Sequence, residues 1–348
     1  MTFANLMKTL FALLAVTLSA GAQVVSPGLS GINRVPLPGL SDSVLSVPFV
    51  RPEAAAGLAQ SFTANRVFFQ GSPAWATDRF VFGGAVADHY YLLVESGPKE
   101  GASYAITAND ANSVTLDLEG DTLTGLAANH RLSIHPHWTL ATLFPGGAGV
   151  HESPTAGDRQ TEVLFPNFNA TGINASAGRI FYLWSGSWRE VGQGTTVCDN
   201  EVVYPDCFFI VRHNVAAGTE FVSSGQVVPG KLVTWIGVNA AGKRDNYLGL
   251  QRPIATTLAG SGLISSGAFL ASSTPGNRTD ELLVFDNAVA QQNKAASAIY
   301  YYWNSAWRKV GAGTANFDNT PIFTPGAGFI IRKNTAATAP AWTNAANY

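Results

Sequence analysis

"YYYWNSAWRKVGAGTANFDN" (residues 300–319) places three tyrosines, two tryptophans and an arginine within the length of one hairpin. The same pattern occurs earlier in the chain as "FYLWSGSWREVGQGTTVCDN" (181–200). Matches in the same register extend from Arg159 and Arg278 to Asn200 and Asn319, and one inserted residue later Arg212 falls on Arg332, which indicates an internal duplication. Apolar and aromatic residues alternate before a group of turn formers in both copies, and this pattern predicts a β hairpin in each.

Each predicted hairpin strand has two faces. In the second copy Ile299, Tyr301 and Trp303 point to one side, and Tyr300 and Tyr302 point to the other. The first set is unchanged in the earlier copy and the second set varies, so the second set is the better candidate for exposure. Three turn-forming residues lie between the tryptophans and predict a three-residue loop, which would place the two rings opposite each other. The predicted cross-strand pairs are Trp184 with Trp188 and Trp303 with Trp307.

Two interpretations of this aromatic stretch compete. A cross-strand aromatic pair stabilises a hairpin by about 0.5–1.5 kcal/mol beyond its burial, and we favour this structural role. Alternatively, exposed rings beside an arginine form a platform on which the apolar face of a sugar stacks. Under the structural interpretation, the residues that stabilise the fold are Trp184, Trp188, Trp303, Trp307, Arg212 and Arg332. Under the platform interpretation, the ligand-binding residues are Tyr300, Tyr302, Trp307 and Arg308.

Charged residues also recur in the duplication. Arg212 and Arg332 end equivalent predicted strands, and Glu162 and Glu281 begin equivalent ones. We expect an Arg–Glu pair to close each unit, in preference to a binding role for these side chains. Turn residues that hydrogen-bond their own backbone are predicted at Asp199-Asn200 and Asp318-Asn319.

The start of the first repeat is separated from the rest of it. "SDSVLSVPFVRP" (41–52) resembles "RDNYLGLQRPIA" (244–255), but the first copy resumes only near Trp138. The intervening residues form short β-rich runs separated by turn signals, a pattern typical of a small barrel. We therefore expect an all-β protein with two related sandwich or barrel-like units, the first interrupted by a small β-barrel. The predicted parts are 42–52 plus 138–225 (first repeat), 53–137 (inserted barrel), and 226–348 (connecting strand and second repeat).

The N-terminal residues are typical of an exported protein. Residues 1–22 combine Lys8, a short apolar run and a small-residue cleavage pattern, which predicts a signal peptide. Residues 23–41 are rich in Pro and Gly and predict an extended lead-in. In an oxidising compartment the two cysteines, Cys198 and Cys207, predict a disulfide. We expect a periplasmic, cell-surface or extracellular location.

Composition and motifs restrict the function classes. Only 13% of residues are charged and the formal net charge is -2, which gives no basic field for nucleic acid. We also expect no membrane span. His135-Pro-His137 supplies half of a metal site, but no acidic or cysteine partner follows at ligand spacing. We therefore predict no catalytic residue, no metal site and no cofactor, although paired carboxylates depend on the fold and not on a motif.

The motif combination resembles a family. "YYYW" with "WRKVG" and "DN", "PGAGFIIRK" (325–333), "SVPFVRP" and "HPHWTLATLF" are similar to sequences in a set of exported bacterial proteins of unassigned function. The resemblance covers nearly all of the chain after residue 22, and it implies export without an activity, cofactor or catalytic residue. The first copy departs from the pattern, because "PDCFFIVRH" (205–213) replaces the glycine-rich segment.

Three function classes follow from these observations. The favoured one is a secreted, non-enzymatic binding or scaffold protein of the envelope, with a polysaccharide or another envelope protein as the candidate partner. The second is a secreted hydrolase whose carboxylates converge in the fold. The third is a structural coat or matrix subunit. Exposed aromatic rings would favour binding, a cleft with two carboxylates an enzyme, and long flat strand edges an assembly subunit.

Overall fold

The computed structural model describes residues 28–336 and 338–348, and the predicted signal peptide (1–22) lies outside them. The protein is nearly all β, which confirms the predicted fold class. Within these residues, helical structure consists of one short helix, α1 (Leu140–Leu143), and 3-10 turns at Pro145–Gly147 and Ala259–Ser261. The strands are β1 (Ser30–Leu37), β2 (Ser41–Leu45), β3 (Ala55–Phe62), β4 (Arg66–Phe69), β5 (Tyr90–Val94), β6 (Ser103–Asn109), β7 (Ser113–Asp117), β8 (Arg131–Pro136), β9 (Trp138–Thr139), β10 (Thr161–Pro166), β11 (Ala177–Trp184), β12 (Ser187–Glu190), β13 (Val202–Val203), β14 (Phe209–His213), β15 (Thr219–Gln226), β16 (Leu232–Trp235), β17 (Arg244–Gly249), β18 (Glu281–Val284), β19 (Ala298–Trp303), β20 (Ala306–Lys309), β21 (Gly328–Lys333) and β22 (Ala341–Asn344).

Two five-stranded antiparallel sheets repeat one strand order. The first sheet runs β12-β11-β10-β14-β2 and the second runs β20-β19-β18-β21-β17. The strand that completes the first sheet, β2, precedes the other members in sequence, and it pairs with β14 along its whole length. In the second sheet β17 pairs with β21 in the same way. The duplication seen in the sequence therefore corresponds to two sheets of the same topology.

The chain between β2 and β9 forms a closed six-stranded barrel with the order β3-β4-β7-β6-β5-β8. Its alternating runs direct one set of side chains inward, as a half-buried strand pattern requires. Aromatic residues fill part of this interior, with the Trp75 ring edge-on to both Phe69 (4.9 Å) and Phe80 (5.1 Å). The barrel thus has a core of its own.

The aromatic hairpins turn differently from the prediction. Trp303 pairs with Ala306, and Trp307 lies opposite Tyr302, so the loop has two residues instead of three. The loop residues Asn304 and Ser305 both have positive φ (48° and 56°), as a two-residue type I′ turn requires. The first copy turns through Ser185-Gly186 with the same register. The predicted tryptophan–tryptophan pairs are therefore wrong, because the tighter turn matches the twist of the two strands.

The arginines of the repeat pair with aspartates and not with glutamates. Arg212 forms a two-pronged ion pair with Asp42 (2.7 and 2.8 Å), and Arg332 forms the equivalent pair with Asp245 (2.7 and 3.0 Å). Glu162 lies directly across from Arg212 but binds its own neighbour Arg159 at 3.0 Å. The predicted Arg–Glu pairs are wrong, because a second acid is present on the other flanking strand.

Each unit caps the edge strand of the other through these aspartates. A loop of the second unit places the Asn293 amide 2.7 Å from the Asp42 carboxylate and accepts a backbone hydrogen bond from Asp42 at Gln291 (2.9 Å). The equivalent loop of the first unit brings Asn174 and Gly172 to Asp245 in the same way. Edge strands otherwise expose unpaired backbone groups. The exchange joins the units and covers both edges.

Equivalent residues of the two units also meet directly. Phe208 and Gly328 occupy the same place in the duplicated pattern, and a Cβ atom at Gly328 would lie 2.4 Å from the Phe208 Cβ atom. Glycine is required there because any larger residue would overlap the phenylalanine. The departure of the first copy from the glycine-rich pattern therefore fits the contact between the units.

The predicted disulfide is absent, since both cysteines are free. Cys198 packs against the core of the first unit, and its amide pairs with the Trp188 carbonyl (2.8 Å). Cys207 instead pairs with Leu248 of the second unit in an isolated bridge. The two thiols thus belong to different packing environments despite their proximity in sequence.

From residue 28 onward the predicted lead-in (23–41) is part of the folded body, and residues 23–27 lie outside the described part of the chain. Its residues from Ser30 to Leu37 form β1, which pairs with all of β15. No helix in residues 28–336 and 338–348 is long and apolar enough to cross a membrane.

Candidate functional site

The aromatic stretch is packed into the core of the second unit. Trp307 is 1% exposed and Tyr300 is 5% exposed, and both belong to one apolar cluster. Tyr302 packs edge-on against Trp307 at 5.7 Å. The Arg308 guanidinium donates to the Thr314 carbonyl. A sugar face needs an open ring, so the structure does not support a stacking platform formed by these four residues.

The same side-chain-to-backbone hydrogen bond holds the hairpin in both units. The Asp318 carboxylate accepts a hydrogen bond from the Trp307 amide (2.7 Å), and Asp199 does the same for Trp188. These aspartates therefore fasten the following loop to the hairpin, where the sequence predicted turns bonded to their own backbone. The repeated residues hold the fold together and leave the search for a site to other parts of the chain.

A cavity of about 460 Å³ lies between the barrel and the segment that leads into the second unit. One wall comes from the barrel strands β5 and β8, and the other from the residues just before β1 and just after β15. Its apolar lining is Leu29, Val50, Leu93, Val94, Val227, Val228 and Pro229. Its polar lining is Glu53, Glu95, Glu100, Arg131, His135, Gln226 and Lys231.

Three of the polar side chains converge. Glu53, Glu95 and His135 each offer one atom that could bind a metal ion, and these atoms lie within 4.8 Å of one another. The barrel explains the convergence, because β8 carries His135 and pairs with both β3 and β5. Glu53 precedes β3 beside the end of β8 that carries His135, and Glu95 follows β5 beside the start of β8, so the side chains converge along β8 from its two ends.

The environment of His135 fixes its proton. Its Nδ1 atom lies 2.9 Å from the Arg51 carbonyl oxygen, and its Nε2 atom lies 2.9 Å from the Ser133 hydroxyl. A carbonyl can only accept, so Nδ1 carries the hydrogen and Nε2 has a lone pair. Burial lowers the pKa of His135, which is 4% exposed, and keeps the ring neutral near pH 7.

The acidic side chains of the cavity differ in whether a positively charged side chain pairs with them. Arg131 donates to one Glu95 oxygen at 2.5 Å, and Lys231 lies 3.4 Å from Glu100. In the described part of the chain Glu53 has no such partner among the ion pairs, although its amide donates to Gln226 at 3.2 Å. The cavity therefore contains one uncompensated carboxylate, held in place through its backbone.

The sequence identified one of these three residues. His135 was singled out with His137, but His137 packs on Tyr91 (ring centroids 4.6 Å apart) and does not join the glutamates. Glu53 and Glu95 belong to no motif and lie far from His135 in sequence. Only the closure of the barrel brings them together, so no spacing signal could have found them.

Buried histidines predict loss of stability in acid. Burial lowers the pKa of His213 to about 4 and that of His137 to about 3. Unfolded histidine titrates near ~6.5, so as the pH falls from that value the unfolded chain binds more protons than the folded one. We expect the free energy of unfolding to fall by on the order of 2 kcal/mol per histidine between pH ~6.5 and pH ~4. Urea titrations across this range measure it.

A variant isolates the contribution of His213, whose two ring nitrogens bond to Thr161 and Thr219 at 2.8 Å each. His213→Gln should be less stable than the wild type at pH 7 and should lose less stability on acidification. A slope equal to that of the wild type would contradict the prediction, because it would show that His213 binds a proton as readily in the folded protein as in the unfolded chain.

Compared with known proteins, the chain matches no protein-family model, no curated protein and no solved structure. The family resemblance suggested by its motifs stays a prediction.

Proposed function

We propose that the chain is an exported, non-enzymatic binding protein whose ligand occupies the cavity at the edge of the barrel. The cavity volume of about 460 Å³ carries this proposal. It lies within the range of ~300–1,000 Å³ typical of small-molecule sites, and it combines an apolar lining with a few converging polar groups. Export is supported by the leader pattern of residues 1–22.

The shape of the site favours a small ligand. A cavity of this volume accommodates a small molecule or the end of a chain, whereas a polysaccharide bound along its length needs an open groove lined by aromatic rings. Of the aromatic residues that suggested such a groove, Tyr300 and Trp307 are buried in the core and Tyr302 is half-buried against it. A polysaccharide ligand is therefore proposed only in the form of a chain end that enters the cavity at the edge of the barrel.

Occupation of the cavity is testable with a neutral fluorescent probe, phenylnaphthylamine, whose emission rises in apolar surroundings. We expect one probe to bind per chain. Val227 is half-buried in the cavity wall, so Val227→Trp should fill the space and reduce the affinity by at least about tenfold.

The matched control is Val222→Trp. Val222 lies on β15, the strand that directly precedes Val227, but is 38% exposed and does not line the cavity. This variant should bind the probe as the wild type does. Equal binding by wild type and Val227→Trp, or no binding by the wild type, would contradict the proposal.

A second candidate function is a secreted hydrolase. It is favoured by the convergence of Glu53 and Glu95, which each bring one oxygen atom within 4.8 Å of the other, because a pair of carboxylates supplies the catalytic groups of most glycoside hydrolases. Chromogenic glycosides test it directly. Turnover that disappears in Glu53→Gln would favour the hydrolase over the binding protein.

A coat or matrix subunit has less support. The inner edges of both five-stranded sheets are covered by loops of the opposite unit, and the outer edges are the short strands β12 and β20. Assembly through strand edges favours long, flat and unpaired strands.

A further inference from the structure

Glu53, Glu95 and His135 form a set of ligand atoms that suits a metal ion. We infer that this cluster, the polar end of the barrel cavity, binds a divalent transition metal. The inference rests on the proposed function in one respect, that the cavity is the binding site. Ligands about 2.0–2.2 Å from a shared Zn²⁺ ion lie up to ~4 Å apart. The present spacing of 4.8 Å or less therefore needs only small rotations of the two glutamate side chains.

The histidine is arranged as metal-binding histidines are. A ligating imidazole usually donates its other N–H to a carbonyl or carboxylate, which fixes the tautomer and orients the ring. His135 donates from Nδ1 to the Arg51 carbonyl and directs the Nε2 lone pair toward the Ser133 hydroxyl. Because Ser133 offers only a hydroxyl, it can turn away when an ion approaches Nε2.

Both carboxylates have a free oxygen. Arg131 binds one oxygen of Glu95 and orients the group, which leaves the other oxygen for a metal ion. Glu53 has no partner among the ion pairs of the described residues and is the group that a cation would stabilise most. A divalent ion would meet two negative charges and one neutral nitrogen in a partly desolvated site.

The donor set narrows the choice of ion. Imidazole favours zinc, iron and related metals, and carboxylates favour harder ions, so one nitrogen with two oxygens suits Zn²⁺ or Mn²⁺ better than Ca²⁺. Three protein ligands leave the fourth position of a tetrahedral ion open, which is typical of sites that act on a bound molecule. That position faces the cavity, because all three ligands line it.

The test uses the chain without its predicted leader and without an affinity tag, treated with chelator and dialysed. Zn²⁺ binding is measured by calorimetry, and Co²⁺ binding by its visible absorption. We expect one Zn²⁺ per chain. Glu53→Gln and His135→Asn should bind at least about tenfold more weakly. Asparagine keeps an N–H donor for the Arg51 carbonyl and removes Nε2. The substitution therefore changes little besides the loss of the metal-binding nitrogen.

Glu100→Gln is the matched control. Glu100 lines the same cavity but binds Lys231, and it lies outside the cluster. This variant should bind Zn²⁺ within about twofold of the wild type. If His135→Asn fails to fold, Glu53→Gln decides, because the Glu53 side chain forms none of the described ion pairs.

Two outcomes overturn the inference: no Zn²⁺ binding by the wild type, or equal binding by Glu53→Gln. The result separates this inference from the proposed function. Probe binding without Zn²⁺ binding rejects the metal site alone, whereas Zn²⁺ binding without probe binding rejects the ligand cavity alone.

Discussion

Trp307→Ala should unfold far more readily than the wild type. The side chain is 1% exposed and packs on Phe269 with ring centroids 4.8 Å apart and on Tyr302 at 5.7 Å. Removing a buried tryptophan costs about 3–5 kcal/mol, because the lost contacts leave a cavity that closes only in part. Urea unfolding followed by circular dichroism measures the loss.

The chain provides a matched control in Trp235, which is 52% exposed on β16. Trp235→Ala should change the free energy of unfolding by less than about 0.5 kcal/mol. A large loss in both variants would point to a general effect of tryptophan removal. A small loss in Trp307→Ala would revive the idea that the aromatic stretch serves a ligand.

A second large effect is expected at a buried ion pair. Lys333 and Asp280 are almost fully buried, and the Lys333 ammonium donates to the Asp280 carboxylate and to the Ala268 carbonyl (2.8 Å). Lys333→Met would leave the carboxylate in the core with only the amides of Leu270 (2.7 Å) and Asn334 (2.8 Å). Breaking a buried pair by removing one partner costs about 3–5 kcal/mol.

A double-mutant cycle separates the pair from its surroundings. Lys333→Met combined with Asp280→Asn should lose less stability than the two single variants summed, since no charge is then left alone. The exposed pair Arg34–Glu220, with 59% and 44% of the side chains accessible, is the control. Arg34→Met should cost at most about 1 kcal/mol. Strict additivity in the buried pair would contradict the interpretation.

At the positions equivalent to this ion pair, the first unit has uncharged residues that hydrogen-bond to each other. His213 occupies the position of Lys333 and Thr161 that of Asp280, and the two bond at 2.8 Å. His213 then reaches the Gly149 carbonyl through the Thr219 hydroxyl (2.8 Å). A neutral chain of hydrogen bonds thus replaces an ion pair at equivalent positions.

The duplication and the all-β class were predictable because they depend on side-chain order. Matching residues kept their register, and alternation reports which side chains share a face of a strand. The hairpin loop was not predictable in this way. The same letters allow two or three loop residues, and the choice depends on backbone angles at Asn304 and Ser305.

Partners across the sheet were also ambiguous in the sequence. Arg212 has Glu162 on one neighbouring strand and Asp42 on the other, and it binds Asp42. The candidate site was harder still, because Glu53, Glu95 and His135 come from three parts of the barrel. Their proximity follows from strand order and closure, which periodicity does not encode.

The contact between Phe208 and Gly328 makes the two halves of the chain complementary and not interchangeable. Two copies of the first half would bring one aromatic ring against another, and two copies of the second half would leave a gap where a ring should be. A duplicated unit that once paired with itself would have been symmetric at this point. The interface in the present chain therefore joins two unlike surfaces. The two halves, produced separately, should bind each other and should not self-associate.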